Sequence, residues 1–267
     1  MLTPERLVQL SRVTRLALSP CGKWAAVQVQ RLNNDKSKFV SDLWRVEIDG
    51  DRAPLQLTRG EFNDSAPQFR SDGSLGFLSN RPLGKGGDED NRRTQVWLLP
   101  EGGGEPRSLT DEPLGVSTFR FASRADVLAV LANMLPEIPI ERQRESAADR
   151  AKNGPSALHY KAMPVRSWDH WIEPAAPHVV IFDGDGGVRR DLTPQVVDET
   201  QKTELAVSPD GRKVAVLWAR MGRLRLFERW IRLFDAATGP LPVSASARFT
   251  HSRSDVSTMS RSRATCA

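Results

Sequence analysis

Ser208-Pro209-Asp210-Gly211, followed by the run Val214 to Trp218, is a tight turn feeding an alternating strand, and the same phrase occurs earlier in the chain. Ser19-Pro20-Cys21-Gly22 precedes Trp24 to Val29, Arg70-Ser71-Asp72-Gly73 precedes Leu75 to Leu78, and a degenerate copy lies at Phe119 to Leu131. A second marker is a strand, a glycine turn and a further strand ending in Leu-Thr. It reads Leu43-Trp44-Arg45-Val46 to Leu57-Thr58, then Val96-Trp97 to Leu109-Thr110, then Val179-Val180-Ile181-Phe182 to Leu192-Thr193.

The two markers share one period. Gly22 to Gly73 is 51 residues and Leu57 to Leu109 is 52, whereas Leu109 to Leu192 is 83, one period plus an insertion. Each repeat carries about four short runs separated by Asp-Gly, Pro and Gly turns, which predicts a four-stranded antiparallel unit. One such sheet cannot bury both faces alone, so the expected fold is all-β: a β-propeller whose blades stack and supply core to one another. Residues 1–239 supply about four blades, an incomplete propeller. Trp44 and Trp97 fall at equivalent positions and read as packing between blades.

Two segments break the period. Residues 134–176 form an insertion in the third blade, with a charged helical stretch from Ile140 to Lys152 and an aromatic cluster at Trp168-Asp169-His170-Trp171. Residues 240–267 hold seven serines and four arginines without alternation, so this tail is expected to be disordered, and a frame-shifted end is one reading of it. The tail also carries +3 of the formal net charge of +5. With no basic face elsewhere, nucleic acid is not an expected partner.

No apolar run approaches the roughly 18 residues of a membrane span, and Met1 to Arg6 does not read as a secretory signal, so a soluble cytoplasmic protein without membrane contact is expected. Cys21 and Cys266 imply neither a disulfide framework nor a metal site. Gly84-Lys85-Gly86-Gly87 and Gly184-Asp185-Gly186-Gly187 lead into loop or strand rather than a helix N-terminus, and read as turns rather than phosphate loops. Asp88-Glu89-Asp90-Asn91 lacks calcium-loop spacing. No cofactor and no metal are expected.

The Ser-Pro-Asp-Gly turn, the Leu-Thr strand ends and the order of repeats resemble the propeller of prolyl oligopeptidase family serine peptidases, with WD40-like and TolB-like blades. Pro164-Val165-Arg166-Ser167-Trp168-Asp169-His170-Trp171 followed by Pro177-His178-Val179-Val180 resembles the third-blade region of bacterial dipeptidyl-peptidase and acylaminoacyl-peptidase-like members. The resemblance implies a propeller that caps an α/β-hydrolase domain and filters short peptides on their way to a Ser-Asp-His triad, with that domain expected to follow this chain.

No Gly-x-Ser-x-Gly elbow occurs here, Gly115-Val116-Ser117-Thr118-Phe119 being the nearest approach, so no catalytic residue is assigned. The Glu-Glu pair with which some members hold a substrate amino group is missing too. Glu137, Glu141 and Glu145 interleave with Arg142, Arg144 and Arg150 as a solvated face. The residues assigned to the border of the substrate chamber are Arg166, Trp168, Asp169, His170 and Trp171. The competing reading is that the tryptophans anchor the insertion while Asp169 and His170 satisfy each other. A stand-alone propeller that binds a protein or peptide through its loops is the alternative function, and exposed blade edges predict self-association.

Overall fold

Four times along the chain the expected turn closes a hairpin, and each hairpin extends into a four-stranded antiparallel sheet. The computed structural model describes residues 3–59, 62–83, 93–155, 157, 166–167, 170–171, 174–183, 185–187, 189–194, 201–221, 227–241 and 247–249. After a short helix α1 (Pro4–Gln9), blade 1 pairs β1 (Arg12–Leu18), β2 (Trp24–Leu32), β3 (Phe39–Glu47) and β4 (Leu55–Gln56) in chain order. Blade 2 is β5 (Ser65–Phe69), β6 (Leu75–Ser79), β7 (Gln95–Leu99) and β8 (Arg107–Ser108).

Blade 3 opens with β9 (Val116–Phe121) and β10 (Val127–Met134). The chain then leaves the sheet through a 3-10 turn (Ile140–Arg142), helix α2 (Gln143–Asn153) and a ribbon of β11 (Arg166–Ser167) with β12 (His170–Trp171). It returns as β13 (Ala176–Asp183) and β14 (Arg189–Asp191). β10 and β13 pair without a break from Val127↔Asp183 to Met134↔Ala176, so the insertion is an enlarged tip of one hairpin. Blade 4 is β15 (Gln201–Val207), β16 (Lys213–Met221), β17 (Phe227–Asp235) and β18 (Gly239–Pro240).

Both sequence markers have a physical basis. In the first, Ser19 and Ser208 each receive a backbone N–H on the side-chain oxygen, from Trp24 at 3.3 Å and Lys213 at 2.9 Å. The glycine closing each turn sits at positive φ, +70° at Gly22, +85° at Gly73 and +72° at Gly211, where a side chain would be strained. In the second, the leucine N–H bonds back to the third strand, Leu57 to Leu43, Leu109 to Val96 and Leu192 to Val179, each at 2.8 Å. The threonine then caps that strand: Thr58, Thr110 and Thr193 accept from the N–H of Leu43, Val96 and Val179 at 3.0, 2.9 and 3.0 Å. All three threonines are buried, which is why a hydroxyl with a fixed partner recurs there.

Side chains alternate across each sheet, so every blade has one face toward the preceding blade and one toward the following blade. Between blades 1 and 2 lie Ala26 and Leu43 against Leu75, Phe77, Trp97 and Leu99. Leu78, Val96 and Leu98 of blade 2 meet Phe119, Phe121, Leu128, Val130, Val180 and Phe182 of blade 3. Ala129, Leu131, Val179 and Ile181 of blade 3 meet Leu205, Val214, Val216, Trp218 and Phe234 of blade 4. The first strands run in sequence around the inside, β1 on β5, β5 on β9 and β9 on β15. Among the described residues blade 4 does not pack on blade 1, and Val13 (66% exposed), Leu16 (67%) and Leu18 (56%) stand in solvent.

Trp97 fills its interface as expected, whereas its counterpart Trp44 lies on the uncovered face of blade 1. In the tail expected to lack structure, β19 (Ala247–Phe249) pairs with β17 at Arg229 to Ile231. β18 covers only two residues of β17 and leaves the rest of that edge with unpaired backbone groups, which recruit the additional strand. Residues 250–267 lie outside the described residues, as do 84–92.

At Gly76 two blades meet closely, since a Cβ there would overlap the Phe121 ring across the interface. Gly76→Ala is expected to destabilise by about 1–3 kcal/mol in urea denaturation, as overpacked cores do. Gly102→Ala, where nothing lies within 4 Å, is expected to stay within about 0.5 kcal/mol of the parent.

Candidate functional site

The antiparallel order puts all tips between second and third strands on one side of the array, together with the connections from one blade to the next. This side carries the insertion. Helix α2 is polar around its circumference, and Gln143 is its single buried residue. The Gln143 amide accepts from Leu135 N–H (2.8 Å) and donates to the carbonyls of Leu135 (2.9 Å) and Ile138 (2.8 Å), closing the loop before the helix. Ile140 packs against the apolar cluster between blades 2 and 3.

A second attachment is ionic. Arg189 of β14 donates to Glu112 Oε2 at 2.6 Å and to the Ile140 carbonyl at 3.1 Å, so one guanidinium joins blade 3, the connection from blade 2 and the insertion. Glu112 is 2% exposed, and its backbone is held by Gln95, whose amide accepts from Glu112 N–H at 3.0 Å and donates to its carbonyl at 2.7 Å. Burial pushes the Glu112 carboxyl up from the ordinary glutamate range, against the opposing pull of Arg189. Farther along, Arg144 reaches Asp111 at 2.8 Å. The insertion is therefore clamped to the junction of two blades at three points.

Between α2 and the loop before it lies a cleft of about 440 Å³. Its floor is Leu135, Pro136, Ile138 and Pro174, and Arg142 with one stripe of the helix, including Glu145, Asp149 and Arg150, forms its wall. On the neighbouring tip, Arg81 bonds Asp64 at 2.7 Å and lies 5.3 Å from the ring centroids of both Phe77 and Trp97. The cleft thus combines mixed charges with an apolar floor.

Of the residues assigned from sequence, Arg166 and His170 lie on the paired strands β11 and β12, with Arg166 opposite Trp171 and Ser167 opposite His170. The ribbon thus belongs to the insertion. Trp168 and Asp169 lie outside the described residues. His178, part of the adjoining motif, is buried in blade 3, where its Nδ1 meets Asp191 at 2.7 Å while Asp191 accepts from Thr193 N–H. That histidine ties the third strand to the fourth. The expected solvated glutamate–arginine face is present as the Arg142–Glu145 pair at 3.5 Å. Sequence reading missed Gln95, Glu112, Gln143 and Arg189, because isolated polar residues in loops and edges carry no periodic signal of burial. Among the described residues no helix is long and apolar enough to cross a membrane.

No family model matches the chain. By sequence, 220 residues, 79% of the chain, are 26% identical to an uncharacterized peptidase, YuxL, of Bacillus subtilis. A stretch of 226 residues, 80% of the chain, is 25% identical to dipeptidyl-peptidase 5 of Porphyromonas endodontalis. The chain spans 30% of the length of each. By structure, 91% of it superposes on 33% of the acylaminoacyl peptidase of Pyrococcus horikoshii with a TM-score of 0.57 and 10% identity, which shows the shared fold. The chain is a propeller portion related in sequence to peptidases. The interlocked blades are that propeller, and the insertion is an elaboration of its third blade.

Glu112 gives the clamp a pH signature. Because its folded-state carboxyl holds a proton to higher pH than in the unfolded chain, its contribution to stability is present at low pH and fades as pH rises through the raised value. Arg189→Met leaves Glu112 buried without its partner. A loss of about 3–5 kcal/mol is expected at pH 8, with a smaller one as the pH is lowered and Glu112 takes up a proton, both read by urea denaturation. A larger loss at acid pH than at pH 8 would contradict the assignment.

Proposed function

We propose that this chain is the substrate-gating propeller portion of a serine peptidase that acts on short peptides, in the manner of dipeptidyl or acylaminoacyl peptidases, and that it holds no catalytic residue itself. The reading is carried by the coincidence of two observations. Most of the chain is related in sequence to two peptidases, and the one large elaboration of its blades is clamped to the tip side beside a mixed-charge cleft.

A gate must be held rigidly enough to select, and Arg189 ties the start of the insertion that carries residues 166–171 to the blade junction. In this reading Arg166 engages a peptide carboxylate and the aromatic residues Trp168 and Trp171 line the passage, with Asp169 and His170 orienting them. The partner in the parent protein is an α/β-hydrolase domain that supplies the nucleophile and its base.

The chain alone is expected to leave a fluorophosphonate serine probe unreacted and dipeptidyl nitroanilides uncleaved. Labelling of any serine in the folded chain would overturn the non-catalytic part of the reading. In the protein that carries this chain with its hydrolase domain, Arg166→Ala is expected to raise KM for short peptides about tenfold, the scale of one charge-assisted hydrogen bond, without lowering Tm. Unchanged kinetics with a lowered Tm would make the arginine structural.

A further inference from the structure

The loop that floors the cleft beside helix α2 is held in an unusual shape. Glu137, between Pro136 and Ile138, sits at φ +63°, in the left-handed region that a residue with a Cβ rarely occupies. Gln143 keeps the loop there, its buried amide closing on the Leu135 N–H and on the carbonyls of both Leu135 and Ile138. A strained backbone that the surrounding fold holds in place marks a position where shape serves a site.

What the cleft offers a ligand follows from which of its groups are still free. In the floor, Pro136 and Pro174 carry no N–H, and the Leu135 N–H and the Leu135 and Ile138 carbonyls are spent on Gln143. The floor therefore presents apolar surface with little to hydrogen-bond. On the wall, Arg142 and Arg150 balance Glu145 and Asp149. Glu145 pairs with Arg142 at 3.5 Å, Asp149 accepts from Asn153 Nδ2 at 2.8 Å, and both carboxylates are exposed to water. A charged amino terminus entering here would lose its hydration and find no unbalanced carboxylate in return.

We propose that this cleft selects the peptide by an apolar side chain, and that it takes peptides whose amino end is uncharged, as after N-acylation, in preference to those with a free amine. The inference rests on the peptidase reading and decides between the two kinds of substrate which that reading leaves together. The cleft volume of about 440 Å³ lies in the range of small-molecule sites and admits a leucine-sized side chain beside a short acyl group. Contact with Leu135, Pro136 and Ile138 supplies affinity for the side chain, and the balanced wall sets the preference at the terminus. Ile138 and Arg142 are the residues that fix these two preferences.

The test uses the protein that carries this chain with its hydrolase domain and the nitroanilides of Leu-Ala and Gly-Ala, each with a free and an acetylated amino end. Acetyl-Leu-Ala-nitroanilide is expected to show kcat/KM about tenfold above both its free-amine and its glycine counterparts, the scale of a small apolar group in a pocket. Ile138→Ser is expected to remove most of the leucine preference and leave the preference for the acetyl group. Arg142→Gln, at a side chain 67% exposed, leaves Glu145 unbalanced and is expected to move the ratio about threefold toward the free amine, the scale of one exposed ion pair. Ratios between substrates of one variant are independent of how much of it is folded. A preference for the free amine, or ratios that neither variant moves, would overturn the cleft assignment and leave the peptidase reading standing. Cleavage of none of the substrates would overturn both.

Discussion

A four-stranded sheet of this kind has two apolar faces and no way to bury either by itself. That constraint organises the molecule. The residues facing blade 2 from blade 1, and those facing blade 3 from blade 2, become core only because the next blade arrives, and each arrival creates a new face that needs covering. Close packing then fixes details, as at Gly76, where the Phe121 ring leaves no room for a methyl group. The face left over on blade 1 follows from the same rule.

The insertion obeys a different logic. Its helix has no apolar stripe with which to dock, so it is held by polar groups that are individually satisfied: Gln143 with three backbone partners, Glu112 with Arg189, and Gln95 with the Glu112 backbone. Such a network is rigid while complete and costly when broken, because each remaining group is buried. It spans blades 2 and 3 and fixes the start of the insertion, from Leu135 to Gln143, relative to both. A gate on this side of the propeller would take its position from the blade junction rather than from a hinge.

The repeat was legible in the sequence because its signals are local. A glycine at positive φ and a serine accepting a nearby N–H can be read from four residues, and a Leu-Thr strand end from two. The insertion was legible as excess length between Leu109 and Leu192. Its mode of attachment was not, since Glu112 and Arg189 are 77 residues apart and neither stands in a periodic pattern. Trp44 and Trp97 show the limit of reasoning by equivalence: both occupy one position of the repeat, but whether a neighbour covers it depends on which blade comes first. The strand at Ala247–Phe249 was missed because an open backbone edge, rather than side-chain alternation, brings it into the sheet.

Hydrogen exchange read by mass spectrometry tests most directly the claim that stability comes from blades covering one another. Strands β2 and β3 of blade 1 and strands β10 and β13 of blade 3 are equally central in their sheets, but only the latter pair is covered on both faces. At concentrations where the chain is monomeric, β10 and β13 are predicted to exchange markedly more slowly than β2 and β3. Equal protection of the two pairs, or slower exchange in blade 1, would contradict the account.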